Sequence, residues 1–207
     1  MALACVVAIF AVGHALGGPV SEQLKETIDR VVKVLDDPAL KGPDRTEERR
    51  VAVTKIAQEI FDFPEVARRS LARHWQPLTD KQREEFTALF ADLLERSYVS
   101  KIELYSGEKI TYASERIDGD SATVATRIAT KSGAEVPIDY RLLKKGPRWL
   151  VYDVNIEGVS LVSNYRTQFN KIIQTSSFDD LLQKLKTKQG ELGGEPPTTT
   201  KPAPAKR

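Results

Sequence analysis

In the N-terminal half of the chain, apolar residues recur every three or four positions, which is the spacing of amphipathic helices. One such stripe covers residues 24–35 and ends before Pro38. A second stripe covers residues 53–60, and Asp44 followed by Glu47 predicts a cap in front of it. The pattern therefore predicts two amphipathic helices in this part of the chain.

The strongest helical pattern follows a proline-initiated segment. Pro64 suits the first turn of a short helix over residues 65–75. Thr79 and Gln82 have the spacing of a capping box, which predicts a helix start. The apolar stripe that follows this capping box in the sequence consists of Phe86, Leu89, Phe90, Leu93, Leu94 and Tyr98.

After about residue 105 the hydrophobic period changes to two, the period of a half-buried strand. Turn signals at residues 118–119, 132–133 and 145–147 divide residues 109–157 into four strand-length pieces. Such short connections favour an antiparallel meander. The alternation in the last piece predicts one face made of Leu150, Tyr152, Val154 and Ile156.

Helical spacing returns at the C-terminal end, where Ser160 is placed to cap a helix with an apolar stripe over residues 161–172. A last amphipathic segment covers residues 178–185. The predicted fold class is α+β, with N-terminal helices, a strongly curved antiparallel sheet of about four or five strands, and C-terminal helices. A curved sheet wrapped by helices makes a cone, whose interior is filled by side chains or by a ligand.

The ends of the chain differ from its middle. Residues 2–20 contain no charged residue, and their 11-residue apolar run suits a secretory signal but is short for a bilayer span. We expect a signal peptide at residues 1–17 and export, with an uncleaved anchor or a buried helix as the open alternatives. One domain is expected over residues 20–188, and residues 189–207 are expected to be a disordered Pro/Thr-rich tail.

Charge and composition argue against nucleic acid as a partner. The chain is 41% hydrophobic and 29% charged, which is ordinary for a soluble globular protein. Its formal charge of +2 comes from Lys201, Lys206 and Arg207 near the C-terminus. Without these three, 28 basic residues face 29 acidic ones, so the folded part is near neutral, whereas nucleic-acid binding normally uses a dense basic face.

Few residues are available for metal or covalent chemistry. Cys5 is the single cysteine, and His74 is the one histidine outside the predicted signal. Nucleotide-binding glycine motifs and a GxSxG nucleophile motif are absent from the sequence. We therefore predict no metal site and no cofactor.

An enzyme would have to use aspartate and tyrosine as acid and base. Tyr152 with Asp153, or Asp139 with Tyr140, are the candidate pairs. Adjacent residues on a strand point to opposite faces, so neither pair converges on one substrate. Cross-strand pairs such as Tyr140 with Tyr152 stay open, but we predict no catalytic residue.

Arg68, Arg69 and Arg73 recur at helical spacing. They form either a solvated helix face or a docking patch for acidic partners or anionic lipid headgroups. Both interpretations stay open at this point.

Two segments resemble a known family. WLVYDVNIEGVSLVSNYRTQF at residues 149–169 and LARHWQPLTDKQREEFTALFADLL at residues 71–94 are similar to the shared blocks of the MlaC, or toluene-tolerance auxiliary, family. SFDDLLQKLKTK near the C-terminus also fits, and the likeness covers about residues 21–188. These proteins are periplasmic phospholipid-binding components of the Mla ABC transport system in Gram-negative bacteria.

The resemblance implies a cone related to the NTF2 fold, with an apolar cavity for phospholipid tails and the headgroup outside. It also implies a monomeric, non-enzymatic periplasmic carrier with phospholipid as cargo. Its partners would be an outer-membrane lipoprotein complex and the inner-membrane Mla ABC transporter complex, and its role would be to maintain outer-membrane lipid asymmetry.

Applied to this chain, the expected cavity residues lie on the last two strands and on two helices. They are Phe90, Leu94, Tyr98, Tyr140, Leu142, Val154, Ile156, Val159, Tyr165 and Phe169. Ordinary dry core is the open alternative for each of them. Headgroup or partner contacts are expected from Arg166, Arg68, Arg69 and Arg73. Asp153, Asn155, Asn164 and Arg166 are expected to hold the strand-to-helix corner through hydrogen bonds, so that headgroup or partner contact is the alternative role of Arg166.

Three functional hypotheses follow. The first is an exported phospholipid carrier. The second is an NTF2-like enzyme that acts on a small apolar substrate with Asp/Tyr acid-base residues. The third is a structural or adaptor module whose cone is filled by its own side chains, because a lipid cavity and a dry core have the same apolar pattern.

Overall fold

The structure is a computed structural model that describes residues 17–131 and 133–187. Apart from Gly17, the predicted signal peptide lies outside the described residues, and so does the predicted tail at residues 189–207. Across the described part of the chain, no helix has the length and apolar character needed to cross a membrane.

The described residues form six α-helices and five strands. The helices are α1 Pro19–Asp36, α2 Thr46–Ile60, α3 Phe63–Leu71, α4 Asp80–Ile102, α5 Leu161–Thr175 and α6 Phe178–Thr187. The strands are β1 Lys109–Asp118, β2 Ser121–Ala129, β3 Glu135–Lys145, β4 Arg148–Ile156 and β5 Val159–Ser160. They make one antiparallel sheet in the order β1-β2-β3-β4-β5. The α+β prediction is confirmed.

Two bulges curve the sheet. Ala113 is an extra residue on β1, because Tyr112 pairs with Thr126 and Ser114 pairs with Ala125. Tyr152 is an extra residue on β4, because the register shifts between Arg141 and Leu142 of β3. The bulged strands bend and twist more strongly than regular ones.

The second bulge overturns part of the predicted face of β4. Leu142 pairs with Val151, whereas Arg141 pairs with Asp153. Val151 therefore lies on the same face as Val154, and both belong to one buried cluster. The prediction that Leu150 and Tyr152 share the face of Val154 is wrong, because the extra residue reverses the alternation at that point.

Helix starts follow the local chemistry in most places. Gln82 N–H donates to Thr79 Oγ1 over 3.3 Å, and Thr79 N–H donates to Gln82 Oε1 over 3.0 Å, so the predicted capping box is present. Helix α3 is capped by Asp62, which accepts from Glu65 N–H over 3.1 Å. The predicted cap by Asp44 is wrong: it lies in a 3₁₀ turn and α2 begins after it, without a side-chain cap.

The hydrophobic core consists of two separate clusters. The sheet cluster lies between the sheet and the first two helices, and its buried members are Val20, Leu24, Ile60, Ala122, Val124, Leu142, Trp149, Val151 and Val154. The helix cluster lies among α3, α4, α5 and α6, and its buried members are Val66, Ala67, Leu71, Phe86, Phe90, Leu93, Leu94, Val162, Tyr165, Phe169, Leu181, Leu182 and Leu185.

Candidate functional site

The inner face of the sheet, defined here as the face that carries the sheet cluster, is closed at one end. Val124, Leu142 and Val151 are fully buried there. Helix α1 covers this closed end with Val20 and Leu24, which are also buried. Apolar side chains pack densely here, as in an ordinary core.

The start of α1 is fixed to both sides of the sheet. Glu115 on β1 accepts a hydrogen bond from Ser21 N–H over 2.6 Å. Gln23 is bonded twice to the backbone of Trp149 on β4: its Nε2 donates to the carbonyl over 2.6 Å, and its Oε1 accepts from the N–H over 2.9 Å. These hydrogen bonds fix the start of α1 over the closed end of the sheet.

The opposite end of the inner face is less covered. Ile110, Ile128 and Val136 form one cross-strand row of β1, β2 and β3, and each is half-buried. In the next row, Ile138 and Ile156 pair with each other and are also half-buried. We call this region the open end. Apolar side chains keep accessible surface there although they point to the same side as the buried sheet cluster.

Tyr140 lies on the inner face next to the open end. It pairs with Val154, lies against the sheet cluster and is half-buried. Burial nevertheless raises the pKa of Tyr140 to about 12, so water solvates its hydroxyl poorly.

The aromatic residues of the helix cluster pack on one another. The ring of Phe90 meets the rings of Tyr165 and Phe169 edge-on, with centroids 5.0 Å apart in both pairs. These three residues are almost fully buried. Tyr98 packs against the same cluster and is half-buried, and burial raises its pKa to about 12. The helix layer is thus closely packed around these rings, and Tyr98 is one of its partly buried members.

The structure divides the ten predicted cavity residues between the two clusters. Tyr140, Leu142, Val154 and Ile156 belong to the sheet cluster or pack against it. Phe90, Leu94, Tyr98, Tyr165 and Phe169 belong to the helix cluster or pack against it. Val159, on the two-residue strand β5, is half-buried and is a member of neither cluster.

Some residues of the open end were missed in the sequence. Ile138 has the same alternation as Tyr140 and Leu142 and could have been included on that ground. Tyr112 could not, because the bulge at Ala113 breaks the alternation of β1.

A buried carboxylate joins the two layers at the strand-to-helix corner. Asp153 accepts hydrogen bonds from Arg141 Nη1 over 3.0 Å, from Ser160 Oγ over 2.7 Å and from Val162 N–H over 3.0 Å. Ser160 also caps α5, since its Oγ accepts from Ser163 N–H over 3.0 Å. Asn155 differs from expectation: among the described residues its Oδ1 is buried without a hydrogen-bond partner.

The four predicted basic residues lie on α3, on the 3₁₀ turn Ala72–His74 that follows it, and on α5. We call Arg68, Arg69, Arg73 and Arg166 the arginine surface. Arg166 Nε donates to the carbonyl of Arg69 over 3.0 Å, which ties α5 to α3. Arg73 Nη2 donates to Asn170 Oδ1 of α5 over 2.8 Å. Arg68, Arg73 and Arg166 are exposed.

Glu65 organises one side of this surface. Its buried carboxylate accepts from Arg68 Nε over 2.7 Å and from Arg69 Nε over 2.6 Å. The Arg68 hydrogen bond, with that of Arg69, lowers the pKa of Glu65 to about 2 against the opposing effect of burial. Arg69 also lies over the ring of Tyr152, with its guanidinium carbon 3.9 Å from the centroid.

Within residues 17–131 and 133–187, no group of three or more His, Cys, Asp or Glu side chains is placed to hold a metal ion.

Comparison with known proteins gives a consistent picture. The family model described as MlaC protein matches residues 25–187. The intermembrane phospholipid transport system binding protein MlaC of Haemophilus influenzae is 28% identical over 120 residues, 56% of either chain. The toluene tolerance protein ttg2D of Pseudomonas putida is 24% identical over 130 residues, 62% of this chain and 60% of that protein. The aligned regions thus span little more than half the length of these relatives.

A solved structure is similar over most of the fold. The phospholipid-binding protein of Ralstonia solanacearum, determined in complex with a phospholipid, superposes with a TM-score of 0.75 at 25% identity. The match covers 84% of this chain and 99% of that one.

Proposed function

The chain belongs to the MlaC family, and on that premise we propose that it is a periplasmic carrier of phospholipid. It holds acyl tails in an apolar cavity of an NTF2-like cone, between the inner face of the sheet and the helix layer. It exchanges lipid with outer-membrane and inner-membrane Mla complexes and so maintains outer-membrane lipid asymmetry. The phospholipid-bound relative from Ralstonia solanacearum supports the choice of cargo.

The division of the core into a sheet cluster and a helix cluster carries this proposal. A dry domain of this size normally has one contiguous apolar core. Here the half-buried apolar residues of the open end, among them Ile138 and Ile156, border the sheet cluster. Acyl tails inserted from the open end would cover this surface.

The energetics suit a carrier that works only when docked. Burying an acyl chain stabilises it by about 0.8 kcal/mol per methylene. Two tails with about 30 such groups are then favoured inside the protein by on the order of 20 kcal/mol over water. Release into water is negligible on that scale, whereas transfer to another apolar site keeps the tails covered. Loading and unloading therefore take place at a partner.

We assign partner contact to the arginine surface. Three of its members, Arg68, Arg73 and Arg166, are exposed. Hydrogen bonds to Glu65 and Asn170 orient Arg69 and Arg73, respectively. A preformed cationic surface favours association with acidic protein surfaces at little ordering cost. Headgroups at a docked membrane complex are a second source of negative charge.

The enzyme alternative is not favoured by the geometry. Asp153 is occupied by three hydrogen bonds, and the ring of Tyr152 lies under Arg69. Asp139 and Tyr140 are adjacent on β3 and point to opposite faces. Each candidate acid-base pair is thus divided or engaged in structural contacts.

Blocking the open end tests the proposal. Ile156→Trp adds bulk at a half-buried position of the open end, and we expect it to reduce phospholipid loading from vesicles at least severalfold while the protein stays folded. Ile117→Trp is the matched control, because Ile117 is 46% exposed near the β1–β2 turn. Loading is measured by lipid extraction and mass spectrometry. If the Ile156→Trp variant loads as much phospholipid as the Ile117→Trp control, the dry-core alternative is favoured.

A further inference from the structure

The hydroxyl of Tyr112 has no partner although it is buried. Tyr112 lies on β1 opposite Thr126, and its half-buried ring packs against the sheet cluster. Its hydroxyl oxygen is shielded from solvent, and none of the described residues makes a hydrogen bond with it. Burial, with smaller contributions from Tyr140 and Asp29, raises the pKa of Tyr112. The hydroxyl therefore keeps its proton and is a hydrogen-bond donor.

None of its described neighbours along the row makes a hydrogen bond with it. The hydroxyl of Thr126 donates its own proton to the carbonyl of Ile138 over 3.0 Å. Ile138 and Ile156 complete the row with apolar side chains. A buried donor without an acceptor is costly, and phenylalanine would fill the same ring volume without that cost. Such a group in a folded protein calls for an acceptor that arrives with a ligand or an ordered water.

The depth of Tyr112 selects the part of a phospholipid that reaches it. Ile110 stands in the first row of the open end, and Tyr112 is two residues deeper along the same strand. Two strand residues span about 7 Å. The charged headgroup stays in water, because burying a charge is unfavourable. The first uncharged acceptors below it are the ester carbonyls that join the tails to glycerol, and the tails beyond carry none.

We propose that the Tyr112 hydroxyl donates a hydrogen bond to an ester carbonyl of the bound lipid and makes the site selective for ester-linked over ether-linked lipids. The assignment deepens the proposed function and rests on it. An ether oxygen is a poorer acceptor and lies closer to the glycerol carbons, so an ether-linked lipid leaves the donor unpaired. Tyr112 is thus a specificity-determining residue on an otherwise apolar wall.

The test compares two lipids that differ in linkage alone. Diacyl and dialkyl phosphatidylcholine with equal chain lengths compete for the lipid-free protein, and native mass spectrometry measures the ratio bound. Wild type is expected to favour the ester-linked lipid roughly three- to tenfold, the range of one hydrogen bond. In Tyr112→Phe the ratio falls towards one, because loading of the ester lipid decreases while that of the ether lipid does not. The lipid-free variant is also expected to melt at a higher temperature than wild type.

Tyr152→Phe is the control, since it removes a hydroxyl from the ring beneath Arg69 rather than from a residue of the sheet cluster. Its ratio is expected to equal that of wild type. A wild type without preference, or a Tyr112→Phe variant that keeps the preference, overturns the inference and leaves the proposed carrier intact. Failure to load either lipid would contradict the carrier function itself.

Discussion

The carboxylate of Asp153 on β4 accepts a hydrogen bond from the backbone N–H of Val162 in the first turn of α5, over 3.0 Å. This bond crosses from the sheet to the helix layer. Asp153 is buried, and its other partners are Arg141 on the neighbouring strand and Ser160 at the helix cap. One side chain therefore fixes the angle between the two layers that border the proposed cavity.

Asp153→Asn is expected to lower the free energy of unfolding by about 1.5–3 kcal/mol, because it removes the charge that strengthens these hydrogen bonds. Urea unfolding measures the change. Asp139→Asn is the matched control on β3, where the carboxylate is half-buried and takes no part in the corner. Similar losses in both variants would show that Asp153 does not hold the corner.

The pH dependence of stability should report on Glu65. Its folded-state pKa of about 2 lies below the ordinary value of 4.5, owing first to Arg68 and then to Arg69. The ionised form therefore stabilises the folded state; this contribution is complete above about pH 4.5 and is lost as the pH falls towards 2. We expect about 1–2 kcal/mol, since solvent screens the half-exposed Arg68.

Glu65→Gln isolates that contribution. At pH 7 the variant should be less stable than wild type by the amount given above, and the difference should shrink towards zero near pH 2. Glu84→Gln is the control, because Glu84 is an exposed residue of α4. A constant difference across the whole pH range would show that the Glu65 charge is not responsible.

The arginine surface is expected to affect docking but not loading. Arg73→Glu should slow association with the membrane complexes by about tenfold at low salt, and less at high salt, because exposed charges steer the encounter. Arg116→Glu on β1 reverses an exposed charge on another element and should change the rate little. Stopped-flow lipid transfer to the acceptor complex measures both. Equal slowing by the two variants would exclude a localised docking surface.

Much of the fold is readable from local periodicity. The stripe behind Thr79 and Gln82 predicted α4, and the turn signals predicted four strands of the sheet. Helix caps and tight turns depend on a few residues that are neighbours in the chain, so they can be predicted from a single sequence. The face reversal at Tyr152 cannot be predicted in this way, because a bulge depends on the register of Arg141 and Leu142 on another strand.

The assembly of the candidate site is harder to predict from the sequence, for a related reason. The hydrophobic period of a helix or strand predicts which of its faces is buried. It does not predict against which other element that face packs. Phe90 and Tyr165 pack with each other in the helix cluster, while Val154 belongs to the sheet cluster. That all three line one lipid cavity stays a prediction. Whether ligand separates the two clusters is a property of the assembled layers, which the apolar pattern of one element does not contain.

The most direct test of the carrier function is the lipid content of the protein isolated from the bacterial periplasm. The protein is purified without detergent and extracted, and the phospholipid is quantified by mass spectrometry against protein concentration. The carrier account predicts close to one phospholipid per protein, and lipid-free protein that regains this content from vesicles. Protein that contains no phospholipid and acquires none from vesicles would contradict it.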